Sequence, residues 1–164
     1  MIVNPTDFHG ILSLGANLYT QVANNTTDAN ISDLQQAINI YESEYFRLLF
    51  QPEDLSDFYH FADGESSVKD WSEVLQILRG DEHLLSPIAC YVYFRIVGGI
   101  NEQVTEIGVV KSADNDTRAP RNKQVQVWNL MVDIHTALLY PKMHELEAEL
   151  PDAHEFRKLS ILGI

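Results

Sequence analysis

One apolar stripe constrains the fold of this chain more than any other feature. Six apolar residues between positions 31 and 48 recur at intervals of three and four, which places them on one face of a helix. They are Ile31, Leu34, Ile38, Tyr41, Tyr45 and Leu48. Asn30 or Ser32 can cap the start of this helix, and Pro52 ends it because a residue before proline is pushed out of the helical region. A helix with one apolar face needs other elements to cover that face, so the stripe predicts a helical bundle.

Three further helices are predicted on either side of an ambiguous segment. A short helix extends from Pro52 to Phe61, and another extends from about Ser66 to Arg79, where Gly80 supplies a left-handed stop. The apolar face of the second comprises Val68, Trp71, Leu75 and Leu78. A long helix begins at Pro120 and is kinked at Pro141. Its inner side comprises Val125, Trp128, Met131, Val132, His135, Leu138 and Leu139.

The segment after Ser86-Pro87 is apolar on all sides, so periodicity alone does not distinguish a buried helix from a buried strand. Its length and its Ser-Pro start favour a helix, which Gly98-Gly99 is expected to end. The run from Val104 to Lys111 is the best strand candidate of the chain, and a polar loop follows it.

The predicted organisation is therefore a mostly α, single-domain helical bundle over residues 1–150. A strand, hairpin or extended loop is inserted at about 102–119, and residues 151–164 form a C-terminal tail. The first thirty residues read as irregular, with a turn or cap at Asn4–Asp7 and one short helix ending near Gly15.

The charge balance limits the partners that this chain can bind. Twenty-four acidic and eleven basic residues give a net charge of −13, which disfavours a sequence-independent grip on nucleic-acid phosphates. The single cysteine, Cys90, lies in an apolar run and reads as a small core residue. No apolar run approaches the length of a membrane span, and the start lacks the pattern of a signal peptide.

No catalytic, cofactor or metal site is predicted. The chain lacks a nucleophile elbow, a phosphate-binding loop and a zinc-protease motif. His144 and Glu147 share a helical face near His135, so a metal-dependent enzyme using these three residues is the alternative in the enzyme class. A solvated acidic helix end accounts for the same residues without any chemistry.

A subunit interface is the preferred interpretation of two other features. Basic residues cluster once, around the polar loop, where acidic residues are interspersed and aromatic residues are absent, so contact with an acidic subunit is favoured over nucleic acid. The C-terminal tail is strongly apolar, and such a run usually marks a partner site. The candidate interface residues are Thr105, Ile107, Val109, Lys111, Arg118, Arg121, Leu159, Ile161 and Leu162.

The order of elements resembles the small helical connector, or adaptor, proteins that join the portal of a tailed phage capsid to its tail. The resemblance covers roughly Ser32 to Glu149 and looks like the version found in phages of gut Bacteroidetes. It is carried by four strings, which are Ile38–Tyr45, Pro87–Phe94, Thr105–Lys111 with the polar loop after it, and Lys123–Asn129.

This resemblance implies a structural virion protein that is not an enzyme. It implies a ring of about twelve copies beneath the portal, in contact with itself, the portal and tail or further connector proteins, and assembled in the host bacterial cytoplasm. Such a ring would carry on the order of −150 formal charges, so passing DNA would not be bound by it. A small acidic regulatory protein, such as a DNA-mimicking inhibitor, is the alternative.

Overall fold

The computed structural model describes residues 2–14, 27–106, 118–150 and 156–160, and for residues 27–33, 99–106 and 118–121 it describes the backbone alone. Two short 3-10 turns come first, and the helices follow. The turns are Pro5–Asp7 and Gly10–Leu12, and the helices are α1 (Thr27–Leu49), α2 (Pro52–Ala62), α3 (Ser72–Arg79), α4 (Pro87–Glu106), α5 (Arg118–Ile134) and α6 (Tyr140–Glu145). A π-helical stretch, His135–Leu139, joins α5 to α6 without a break. The mostly α fold is confirmed, and no β-strand occurs in the described ranges.

Helix α4 forms the centre of the bundle, where α1 and α5 pack against it. The segment after Ser86-Pro87 is a buried helix and not a buried strand. All six residues from Ile88 to Tyr93 are buried. The Ser86 hydroxyl donates to the carbonyl of Leu78 and accepts from the N–H of Ala89, which fixes the start of α4 against the end of α3. No described helix has the length and apolar character that crossing a bilayer requires.

The expected end of α4 at Gly98-Gly99 and the expected strand at Val104–Lys111 are corrected by the structure. The helix continues through both glycines to Glu106, so the first three residues of the strand candidate are helical, and the rest lie outside the described residues. A Cβ atom at residue 98 would lie 2.9 Å from Nε2 of Gln124 in α5. Gly98 therefore leaves room for the Gln124 side chain and does not terminate α4.

An aromatic cluster holds α2 and the loop after it against α1. The rings of Phe50 and Phe58 stack with centroids 5.0 Å apart, and Trp71 meets both rings edge-on. Trp71 precedes α3 and does not lie within it, because the predicted helix from Ser66 begins only at Ser72. All three side chains are buried, so this cluster contributes a large share of the apolar burial at this end of the bundle.

The residues before Trp71 form a loop that one carboxylate organises. Asp57 accepts from the backbone N–H groups of Val68 and Lys69 and from the indole N–H of Trp71. These hydrogen bonds, led by the one from Val68, lower the pKa of Asp57. Val68 is 93% exposed, so its predicted place on an inner helical face is wrong.

The π-helical stretch lies directly before Pro141, where a kink was expected. Proline has no N–H to donate to the preceding turn, and a π-helical turn is a common way for a helix to absorb an interruption of its hydrogen bonds. The wider turn also rotates the side chains within it relative to a regular α-helix. Leu139 is fully buried while Leu138 is 40% exposed, so the predicted inward position of Leu138 is wrong.

The N-terminal residues pack on α1 through a buried carboxylate. Glu42 accepts from the backbone N–H groups of Ile2 and Val3 at distances between 3.0 and 3.1 Å. Val3 and Leu12 are each 1% exposed, so this segment belongs to the core. Two 3-10 turns replace the single short helix expected here, and Glu42 anchors the N-terminal residues to α1.

Candidate functional site

The predicted interface residues fall in two places. Thr105 lies in the last turn of α4, and Arg118 and Arg121 lie in the first turn of α5. Leu159 lies in the C-terminal segment and is 39% exposed. The remaining members of the set, Ile107, Val109, Lys111, Ile161 and Leu162, lie outside the described residues.

Helices α4 and α5 run antiparallel, which brings the two ends of the insertion together. Gln124 of α5 donates to the carbonyl of Phe94 of α4 at 2.9 Å. One turn further along α5, the Trp128 ring packs on Phe94 with centroids 4.5 Å apart and on Tyr91 at 6.2 Å. The two helices therefore point in opposite directions, so the end of α4 and the start of α5 lie at the same end of the bundle. Residues 107–117 connect them in the sequence.

We name residues 98–123, which include the end of α4 and the start of α5, the tip. Val97 is the last described buried residue of α4, and nine residues of helix follow it, about 13 Å at 1.5 Å per residue. Acidic and basic residues are equal in number over the tip, with four of each. The tip therefore has no net formal charge in a chain that is strongly acidic elsewhere.

The acidic charge concentrates at the opposite end, which we name the acidic end (residues 53–82 and 142–149). These ranges contain twelve acidic and three basic residues, so they supply nine of the thirteen net negative charges. Helix α3 packs on the start of α4, on the π-helical stretch and on α6, which places this end away from the tip. The charge of the molecule is thus polarised along the bundle.

Two lysines, Lys69 and Lys142, form ion pairs that link the elements of the acidic end. Lys69 forms an ion pair with the nearly buried carboxylate of Asp54 and donates to the carbonyl of Glu147. The second oxygen of Asp54 accepts from the N–H of Glu149 at 3.0 Å. Lys142 lies 2.6 Å from Glu73 and 2.9 Å from Glu145, and these carboxylates raise its pKa. The bonds join the ends of α2, α3 and α6.

The three residues of the metal-enzyme alternative do not converge. His135 is fully buried, whereas His144 and Glu147 are exposed. Within the described ranges, no group of three histidine, cysteine or acidic residues is placed to hold a metal ion. The structure assigns His144 and Glu147 to the solvated helix end that their sequence context indicated.

A buried Tyr–His pair was not anticipated from the sequence. The hydroxyl of Tyr45 in α1 lies 2.7 Å from Nε2 of His135, ninety positions later in the chain. Nδ1 of His135 has no hydrogen-bond partner in the described part of the chain, and burial lowers the pKa of His135 to about 3. Burial likewise raises the pKa of Tyr45. Both groups are neutral near pH 7 and closed to solvent, so the pair joins α1 to the π-helical stretch.

A cleft of about 460 Å³ lies between the N-terminal turns and the loop after α3. Its polar groups serve local structure. Asp81 accepts from the backbone N–H groups of His83 and Leu84, which lowers its pKa, and Nδ1 of His9 lies 3.0 Å from the carbonyl of Thr6. No nucleophile and base are paired among the described residues of this cleft.

The C-terminal segment Phe156–Ser160, which we name the arm, packs on α5. Phe156 is 8% exposed, and its ring meets that of His135 edge-on at 4.7 Å. The indole N–H of Trp128 donates to the carbonyl of Arg157 at 2.7 Å. These residues of the predicted C-terminal tail therefore pack on the bundle.

Comparison of the chain with protein-family models, with curated proteins and with solved structures finds no match.

Proposed function

We propose that this chain is a structural subunit that assembles into a ring, and that the ring is a head-to-tail connector of a tailed phage. The observation that carries the proposal is the polarity of the bundle. An insertion between two long antiparallel helices occupies one end, and nine of the thirteen net negative charges occupy the other.

The tip suits contact between neighbouring subunits. Equal numbers of acidic and basic residues allow complementary pairing between copies, which sets orientation in an interface. The resemblance to connector proteins implies an inserted loop or hairpin at this place in the fold. Residues 107–117 connect the ends of α4 and α5 there, so a change in their length leaves the described core contacts of both helices in place.

The acidic end suits a surface that DNA passes without binding. Phosphates are repelled by a concentration of carboxylates, and a ring would repeat that concentration in every subunit. In the proposed ring the acidic ends line the central passage, the tips contact adjacent subunits, and the portal and tail proteins bind the two faces.

The proposal is tested by native mass spectrometry of the full chain beside a variant that lacks Ser112–Thr117. We expect the full chain to form a closed oligomer of about twelve copies and the deletion variant to remain small. Circular dichroism should show the same helical content for both, because the described core contacts include none of the deleted residues. A deletion variant that unfolds, or a full chain that is monomeric at every concentration, contradicts the proposal.

The acidic end also favours a second candidate function, a DNA-mimicking inhibitor. A closely spaced set of carboxylates resembles a phosphate backbone to a basic DNA-binding protein. Such an inhibitor acts as a monomer or dimer and forms a salt-sensitive complex with its target. A small native mass together with such a complex would support this function over the ring.

A further inference from the structure

The arm lies in a groove on α5, and side chains of α5 form hydrogen bonds with the backbone of the arm. The side-chain amide of Asn129 donates to the carbonyl of Leu159 at 2.9 Å and accepts from the N–H of the same residue at 2.7 Å. The Asn129 side chain thus pairs with both the N–H and the carbonyl of Leu159, as a neighbouring strand would. The indole N–H of Trp128 holds the carbonyl of Arg157 two residues earlier. A pair of adjacent residues on one helix therefore fixes the path of an extended segment.

Two arm side chains add selectivity to these backbone contacts. Phe156 fills an aromatic pocket in which Tyr45 lies at 5.8 Å and Trp128 at 6.1 Å between ring centroids. Lys158 forms an ion pair with Asp133 of α5 at 2.6 Å. The groove thus accepts an aromatic residue, a basic residue two positions later, and a backbone amide at the next position.

We propose that this groove is an interface between copies of the chain, in which the arm of one subunit occupies the groove of its neighbour. A second copy presents the same five residues, so every contact described above is reproduced when the arm comes from a neighbour. Exchange of an identical element between copies is a low-cost route to oligomers.

A second copy is favoured over an unrelated partner by composition and by stoichiometry. Arg157-Lys158 is a basic pair in a chain of net charge −13, and Asp133 faces Lys158 in the groove. Arms and grooves occur in equal number in any assembly of this chain, so each groove can be filled. The inference rests on the proposed function, because exchange requires adjacent copies.

The test is a mixed crosslinking experiment with full chains. One chain carries Asp133→Cys and the other carries Lys158→Cys, which removes only an exposed ion pair and keeps the contacts of Trp128 and Asn129. The chains are mixed at assembling concentration and treated with a short bismaleimide. The native Cys90 is buried, and burial raises the pKa of its thiol to about 12, so it does not react. The matched control replaces Asp133→Cys with Ile40→Cys, an exposed position on α1.

We expect the Asp133→Cys and Lys158→Cys pair to give a covalent heterodimer several-fold above the Ile40→Cys control. A single chain that carries both cysteines reports where the arm lies, because cis docking gives an intramolecular crosslink and exchange gives covalent multimers. Intramolecular product alone, with the mixed pair at the control level, overturns the exchange. No crosslink of either kind overturns docking of the arm.

The native mass of the same samples separates this inference from the proposed function. An oligomer that shows only intramolecular crosslinks overturns the exchange and leaves the ring. A monomer at every concentration overturns the ring, and a mixed pair at the control level then overturns the exchange as well.

Discussion

The buried imidazole of His135 makes the stability of this protein depend on pH in a defined window. The pKa of the group is 6.5 in an exposed setting, and burial lowers it to about 3 in the folded chain. Between these two pH values the unfolded chain holds more protons than the folded chain. The free energy of unfolding therefore falls as the pH falls from 6.5 toward 3, and the stabilisation by neutral His135 is fully present above 6.5.

The size of this effect follows from the difference between the two pKa values. Each pH unit corresponds to 1.36 kcal/mol, so the full difference is on the order of 4–5 kcal/mol, of which about 3 kcal/mol develops between pH 6.5 and about pH 4. Domain stabilities are typically roughly 5–15 kcal/mol, so the loss is large enough to measure and to matter.

The assay is urea denaturation followed by circular dichroism, at neutral pH and in steps down to about pH 4. His135→Gln removes the titrating group and keeps an oxygen that can accept from the hydroxyl of Tyr45. His144→Gln is the matched control, because His144 is exposed. Carboxylates contribute equally to all three proteins, so the slope of stability against pH isolates His135. We expect His135→Gln to decline less steeply than the parent, and His144→Gln to follow the parent. Equal slopes for the parent and His135→Gln would refute the reasoning.

Three further perturbations test the packing and the anchors of the fold. Trp71→Ala should lower the free energy of unfolding by about 3–5 kcal/mol in urea denaturation, because it empties a fully buried site, and a change below about 1 kcal/mol would contradict the aromatic cluster. Glu42→Ala should cost about 1–3 kcal/mol because it leaves two backbone N–H groups without an acceptor, whereas Glu44→Ala, which breaks a partly exposed ion pair, should cost less than about 1 kcal/mol. Asn129→Ala should speed amide hydrogen exchange at Leu159, whose N–H it leaves unpaired, and unchanged exchange would mean that the arm is held elsewhere.

Helix-period patterns predicted the described core where local packing follows a regular helix. Leu34 and Ile38 of α1 and Leu75 of α3 are buried as their spacing indicates. The apolar segment at the start of α4 is helical, as its Ser-Pro start favoured over its β-branched and aromatic content. These predictions succeed because apolar residues spaced by three and four form one apolar helical face, and that face is buried against other helices.

The wrong predictions share a physical cause, which is a tertiary contact that overrides a local preference. Gly98 has a poor helix propensity, yet it lies inside α4, where the Gln124 side chain occupies the space beside it. Leu138 fits a regular helical stripe, but the π-helical stretch changes its facing. Trp128 was expected to be largely buried and is half-buried, because its indole N–H reaches out to the arm.

The candidate site was predicted less well than the fold. Thr105 was placed in a strand and lies in the last turn of α4, and Arg118 and Arg121 lie in the first turn of α5. Their role in a subunit interface stays a prediction. The arm groove was missed, because Asn129 and Leu159 are thirty positions apart and no periodic pattern connects an amide side chain with a distant backbone group. The Tyr45–His135 pair was missed for the same reason.

The copy number of this chain in purified tailed particles tests the central claim most directly. Quantitative mass spectrometry of such particles, with the portal protein as the internal standard, should find about twelve copies of the chain in each particle. Particles made without the chain should be heads that lack attached tails. Normal tailed particles in which the chain is absent would contradict the account.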